Sequence, residues 1–451
     1  MNSLQNKGNK IFKIDFQDEN VTSFGGLALA ERLGNRLSLW NYLIQNLQER
    51  KGNYSWLTII KSVIMGLLSG SFGTYAAEEL REDEALKKLL GLKEIPEEVT
   101  VWRALEGLGS EELQKVLADA NLLLNKKIFS RIKVSDLLLE GFIPFWGDGS
   151  VLEGSNRREG TKYIEGKGYG VLWTTLFIGP LLFAEQLCKQ GDGETTAFKN
   201  LFGYVNENFL KSNPLRNKIL VMLDSLNGDG PTLDMLETEK MKYVVGANKL
   251  SQVQSILESQ MIWKELGGNK RDRIVESALC ICSIQCAGWD KKRTLIGYRK
   301  KLTGEMFYRY SGIMTNLNES DVDHIKTVNT FVEKIFHLYS LKSGLENHYK
   351  SALSDLDLHH PPCREYSRNA GFYSLGTLAY TLARGVELIG TADTKDDKES
   401  GRIRIWRLRR RIFAAACRVV SHARRIALTF LTSSRKIEEE FWRLWNNIAQ
   451  C

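Results

Sequence analysis

Near residue 138 the hydrophobic pattern of this chain changes period, and that change restricts the folds open to it. Between residues 21 and about 135 apolar residues recur at helical spacing, and residues 57–68 are apolar on nearly every side, as in a buried helix. Residues 76–90 read as an amphipathic helix that Gly91 stops, and Pro96-Glu97-Glu98 reads as a further helix start. Beyond 138 the apolar residues fall into short runs, at 142–146, 169–178, 181–187, 218–223 and 242–245, bounded by Gly, Asn, Asp or Lys. Such runs read as strands. Helical patterns fall around 194–208 and 231–240. Three consecutive strands followed by helix–strand units predict an α/β sheet that opens as a meander.

Further divisions follow along the chain. Residues 1–135 form a helical region, and its short helices fit a DNA-binding helix-turn-helix or a plain bundle alike. Residues 136–250 form the first part of the sheet. Residues 251–304 read as a β-rich insertion, with strands at 278–284 and 293–298. Residues 305–392 complete the sheet with a strand at 310–315 and a helix over 322–350. Residues 393–451 comprise a polar linker and a basic helical tail.

The net charge of +8 over 451 residues is modest, so its distribution says more than its total. Arg402, Arg404, Arg407, Arg409, Arg410, Arg411, Arg418, Arg424 and Arg425 crowd one stretch. On a helix, Arg404, Arg407, Arg411 and Arg418 would share a stripe suited to DNA phosphates, a membrane surface or an acidic patch of the same protein. The longest mainly apolar stretch, 171–184, is interrupted by Thr174, Thr175, Gly179 and Pro180. It reads as paired strands rather than a membrane span. The first residues lack an apolar signal region, and the seven cysteines are odd in number and scattered. Both point to a reducing cytoplasm and away from a disulfide framework. Cys280 and Cys282 alternate on one face of a strand, which suits burial better than zinc.

Three carboxylates carry the chemistry. Asp148 follows an apolar approach in Phe145-Trp146-Gly147-Asp148-Gly149, Asp224 ends the run Leu220-Val221-Met222-Leu223-Asp224, and Glu346 lies in a later helical stretch. An Asp before Gly is commonly a turn residue, so Asp148 alone says little. Two acids at strand ends and one on a helix are nonetheless a sound platform for two divalent cations about 3.5–4 Å apart, the arrangement used in phosphoryl transfer.

The surroundings of these acids resemble a known family. Tyr339, Lys342 and Glu346 fit Y-x-x-R-x-x-x-E with Lys in the Arg place. Gly147-Asp148-Gly149-Ser150, Met222-Leu223-Asp224-Ser225, Met314-Thr315-Asn316-Leu317 and Leu345-Glu346-Asn347 are similar to its other segments. This is the signature of DDE transposases of bacterial insertion sequences, and the similarity runs from about residue 20 to 430. It implies an RNase H-like catalytic core with a helical N-terminal region, a β-rich insertion and a basic helical C-terminal tail. It implies two Mg²⁺ ions, with Mn²⁺ as an alternative, held by Asp148, Asp224 and Glu346. DNA phosphate would be positioned by Tyr339, Lys342 and Lys350, with Arg404, Arg407 and Arg411 of the tail as further DNA contacts. The implied reaction is cleavage at the transposon's terminal inverted repeats and strand transfer into target DNA by cut-and-paste, on the bacterial nucleoid, by a homodimer in the synaptic complex. In related enzymes the insertion helps to form a hairpin at the cleaved end; Trp263, Trp289 and Tyr298 are its aromatic candidates here, each better suited to packing. Two positions depart from the pattern. Lys342 lacks the bidentate fork of Arg, and Leu353 stands where the family has a basic residue. They keep two other readings open, a transposase-derived DNA-binding protein without catalysis and a nuclease on the same fold.

Overall fold

The computed structural model describes residues 20–451 apart from 165–167, 190, 248–250, 270–271, 391–403, 423–424 and 433. Its N-terminal part is helical, with α1 (Leu27–Arg36), α2 (Trp56–Ser69), α3 (Glu98–Leu108) and α4 (Glu111–Phe129). As its composition requires, α2 is buried along most of its length. The amphipathic helix expected over 76–90 is broken. Two 3-10 turns precede Glu84–Leu90, because the Asp83 carboxylate accepts from the Leu86 N–H and caps a new helix there. Gly91 ends it in the left-handed region at φ +65°.

The sheet begins with β1 (Ile143–Glu153), β2 (Gly168–Ile178) and β3 (Leu181–Leu187), an antiparallel meander. The chain then runs through α5 (Glu194–Val205), β4 (Ile219–Leu223), α6 (Gly230–Thr238) and β5 (Lys242–Gly246). Strand β4 lies parallel to β1, and β5 parallel to β4. The order is β3-β2-β1-β4-β5. This is the RNase H-like core that the resemblance implies, and every apolar run assigned to a strand in this part is one.

The insertion does not stand apart from that sheet. Strands β6 (Ile274–Ile284), β7 (Arg293–Leu302) and β8 (Arg309–Thr315) form an antiparallel set, and β8 joins the core by pairing with β5. An ion-paired cluster fastens it, with the buried Arg293 of β7 held by Asp234 and Glu237 of α6.

The helix expected over 322–350 is also broken. α7 (Phe331–Ser340) starts at a Thr330–Glu333 capping box, a 3-10 turn covers Leu341–Gly344, and α8 (Leu345–Leu353) follows. Around the break the Ser340 and Ser343 hydroxyls bond the carbonyls of His337 and Ser340. Such bonds compete with the helical ladder. Tyr339 and Glu346 therefore stand on different helices.

Helix α9 (Tyr366–Gly390) is buried from Arg368 onward and packs against α1, α2, α3, α4 and β3. It ties the helical region to the sheet. Among the described residues, no single helix is long and apolar enough to cross a membrane.

The tail departs from expectation. The linker expected at 393–401 lies outside the described residues. In place of one basic helix there is a short helical turn, Ile405–Leu408, a π-type turn, Arg409–Phe413, and a hairpin of β9 (Cys417–His422) and β10 (Arg425–Phe430). Helix α10 (Arg435–Ala449) ends the tail. Alternation decides this. Cys417 and Val419 are buried while Arg418 and Val420 are exposed, a period of two that a helix cannot satisfy.

Candidate active site

Asp148 is not at a strand end, nor is Asp148-Gly149 a turn. It lies inside β1, opposite Thr175 of β2. Its place follows from the sheet: the parallel pairing of β1 with β4 ends at Gly147 opposite Leu223, and the next residue of each strand is an acid, Asp148 and Asp224. The flanking glycines serve close approach. A Cβ on Gly147 would lie 2.4 Å from the Phe198 ring of α5, and one on Gly149 would lie 2.6 Å from Oε2 of Glu194.

That second contact identifies a residue the sequence reading missed. Glu194 opens α5, and single carboxylate oxygens of Asp148, Glu194 and Asp224 all lie within 4.8 Å of one another. All three side chains are half-buried. Buried Asn227 joins two of them, its amide donating to Glu194 at 3.1 Å and to Asp224 at 3.4 Å. Asp224 also accepts from the Leu226 N–H at 3.0 Å, and Asp148 from the Gly149 N–H at 3.0 Å. Burial, together with the charges of Asp224 and Asp148, raises the Glu194 carboxyl to about 7. The ammonium of Lys342 stands 4.0 Å from Asp148 and only partly offsets this. Three hard oxygen donors with excess negative charge fit a divalent cation.

Glu346 is not in this cluster. It sits in the first turn of α8, its side chain is 72 % exposed, and it pairs with Lys350 at 3.9 Å. It does line the same cleft, of about 560 Å³, with Asp148, Ser150, Tyr339, Lys342 and Lys350. The structure thus brings Asp148, Asp224 and Lys342 together and leaves Glu346 and Lys350 outside the cluster, on the lining of the cleft. The Tyr339 hydroxyl lies over the end of β5, where a Cβ on Gly246 would stand 2.5 Å from it and 3.2 Å from the Asp224 carbonyl carbon. Burial and the two aspartates push that phenol up to about 12, so it stays protonated. Leu353 is buried, as an apolar residue in the basic position.

Two of the tail arginines assigned to DNA have partners within the chain. Arg404 donates to the buried Asp355 carboxylate at 2.9 Å, and Arg411 pairs with Glu440. Arg407 is exposed beside the Trp406 ring. The aromatic candidates of the insertion pack. Trp289 is buried, with the Arg293 guanidinium over its ring; Trp263 donates to the Gln260 carbonyl; Tyr298 lies against Phe336. Cys280 and Cys286 are buried free thiols and Cys282 is half-buried.

A search of curated proteins finds no match. Among solved structures the chain is similar to a piggyBac transposase seen by cryo-EM in a synaptic complex with hairpin DNA. The two are 12% identical with a TM-score of 0.43, over 87% of this chain and 80% of that one. The family described as transposase DDE domain, group 1, matches residues 192–451, a span of more than half the chain that carries Glu194, Asp224, Tyr339, Lys342 and Glu346. The chain belongs to this family of DDE transposases.

Proposed function

We propose that the chain cuts DNA at the ends of its own mobile element and joins the freed 3′-OH to target DNA, with divalent cations held by its acid cluster. The observation that carries this reading is the grouping of Asp148, Glu194 and Asp224 within 4.8 Å, where the parallel pairing of β1 with β4 ends, with Asp148 lining a cleft shared with Glu346. Asp148, Asp224 and Glu194 would hold Mg²⁺, with Glu346 contributing from the lining of the cleft. When bound, such ions activate the attacking oxygen and stabilise the leaving one.

The residues of the chain do the rest. Gly147 and Gly149 let α5 and its glutamate approach β1. Asn227 orients the Glu194 and Asp224 carboxylates from a site without solvent. Lys342 balances the charge beside Asp148 and is placed to meet a substrate phosphate as a point charge. Tyr339, held protonated, offers a hydrogen-bond donor next to Asp224. Lys350 lies at the cleft wall. The helical N-terminal region is the proposed reader of the terminal repeats, and exposed Arg407 a phosphate contact. Two copies acting on two ends would form the synaptic complex.

The test is direct. Purified protein, Mg²⁺ and a plasmid carrying the gene's own flanks should give cleaved ends and joined products. Cleavage without joining would leave a nuclease. Specific binding to the ends with no cleavage in Mg²⁺ or Mn²⁺ would leave a DNA-binding protein.

A further inference from the structure

Helix α8 carries Glu346 in its first turn, so its placement against β1 fixes how that carboxylate faces Asp148. Three buried side chains of α8 hold it. The ring of His348 stacks on Phe177, and the Ser351 hydroxyl accepts from Arg384 of α9 at 3.0 Å. The third, Tyr349, reaches the acid strand itself. It follows Glu346 by three residues, on the same helix face. Its hydroxyl donates to the backbone carbonyl of Asp148 at 2.6 Å and shares a hydrogen bond with the Thr175 hydroxyl, which reaches the same carbonyl at 3.5 Å. Thr175 is the register partner of Asp148 in β2, so the contact joins one helix and two strands at one point. Tyr349 is buried at the floor of the cleft it helps to line, its ring against Trp173 and Phe177 with centroids 6.3 and 5.7 Å away.

The location is mechanically sensitive. Strand β4 stops pairing with β1 at Gly147, so Asp148 is the first residue of β1 beyond that ladder. We propose that Tyr349 is a positioning residue, whose hydroxyl locks the Glu346 helix to the strand segment that aims Asp148. This rests on the reading of the acids as a cation-holding centre. Groups that orient metal-holding side chains typically change metal affinity or activity by about 10- to 100-fold when removed, and Tyr349→Phe removes only the hydroxyl while the ring stays packed.

The control is Tyr373→Phe. Tyr373 is also buried and donates to a backbone carbonyl, that of Leu358 at 2.8 Å, outside the acid cleft. Full-length wild type and both variants would be compared by thermal midpoint, by calorimetric Mn²⁺ binding without DNA, and by end cleavage across a Mg²⁺ titration. The expected result is that the two variants melt alike. Tyr349→Phe alone binds Mn²⁺ more weakly and cleaves about 10- to 100-fold more slowly at limiting Mg²⁺, with recovery at high Mg²⁺. Wild-type-like Mn²⁺ binding and Mg²⁺ dependence in Tyr349→Phe would overturn the proposal, as would equal losses in both variants. Should wild type bind Mn²⁺ yet not cleave, the cleavage reading fails while the Mn²⁺ comparison still decides the role of Tyr349. Should wild type bind no Mn²⁺, both fall.

Discussion

At the scale of single residues, the acid cluster divides the carboxylates into two kinds. Asp148, Glu194 and Asp224 share one small volume, and Glu346 faces them from an exposed position. Neutralising an inner acid removes an oxygen donor, so Asp224→Asn should lower end cleavage by more than the ~10- to 100-fold typical of supporting groups. Glu194→Gln should do the same if Glu194 holds a cation, and cleavage rates of the purified variants at saturating Mg²⁺ would show it; an unchanged rate would assign Glu194 to packing. Asp148 and Asp224 were legible because each follows an apolar run that had to be a strand. Glu194 was not, because an acid opening a helix is ordinary. Its only trace in the sequence was Gly149, a glycine that serves clearance for the Glu194 carboxylate.

At the scale of elements, partners decide what a charged side chain does. Glu237 shows this on α6. Burial alone would raise its carboxyl, but Arg293, Lys291 and Tyr243 outweigh it and hold the group at about 2. A carboxylate depressed in the folded state stabilises it above the unfolded value near 4.5, and that contribution is lost as pH falls toward 2. Glu237→Gln should therefore destabilise the protein by about 2 kcal/mol at neutral pH and flatten the acid limb of a denaturant-midpoint profile between about pH 5 and 2. The arginine-rich stretch obeys the same rule. Arg404→Ala strands the buried Asp355 carboxylate and should cost up to about 3 kcal/mol in chemical denaturation. Arg407→Ala should leave stability alone and, if Arg407 meets phosphate, reduce the salt dependence of DNA affinity by about one ion. Composition located these arginines but not their partners, which lie at Asp355 and Glu440, distant in sequence. The serine-rich break between α7 and α8 was likewise hidden beneath a continuous helical period.

At the scale of the whole molecule, α9 holds helical region and sheet in one body. Its crossing with α3 is close. A Cβ on Gly109 would stand 1.8 Å from the Ser367 carbonyl oxygen, and one on Gly371 2.6 Å from that of Leu105. Gly371→Val should separate the two helices and cost about 1–3 kcal/mol or more, seen as a lower thermal midpoint. The α/β sheet and its opening meander were legible from the change of period near residue 138, since three runs and then alternating units follow it. The place of β8 in the main sheet was legible too, but the pairing of insertion strands β6 and β7 onto it was not, because pairing between distant strands leaves no local mark.

Asp148 and Asp224 are the proposed cation-holding pair of a DNA-cutting enzyme. The measurement that bears on them most closely is Mg²⁺-dependent nicking of a duplex carrying the gene's flanking repeats, by wild type, Asp148→Asn and Asp224→Asn, with binding of the same duplex measured in parallel. Wild type alone should nick at the repeat ends, with all three proteins binding the duplex alike. Undiminished nicking by either variant would refute the assignment.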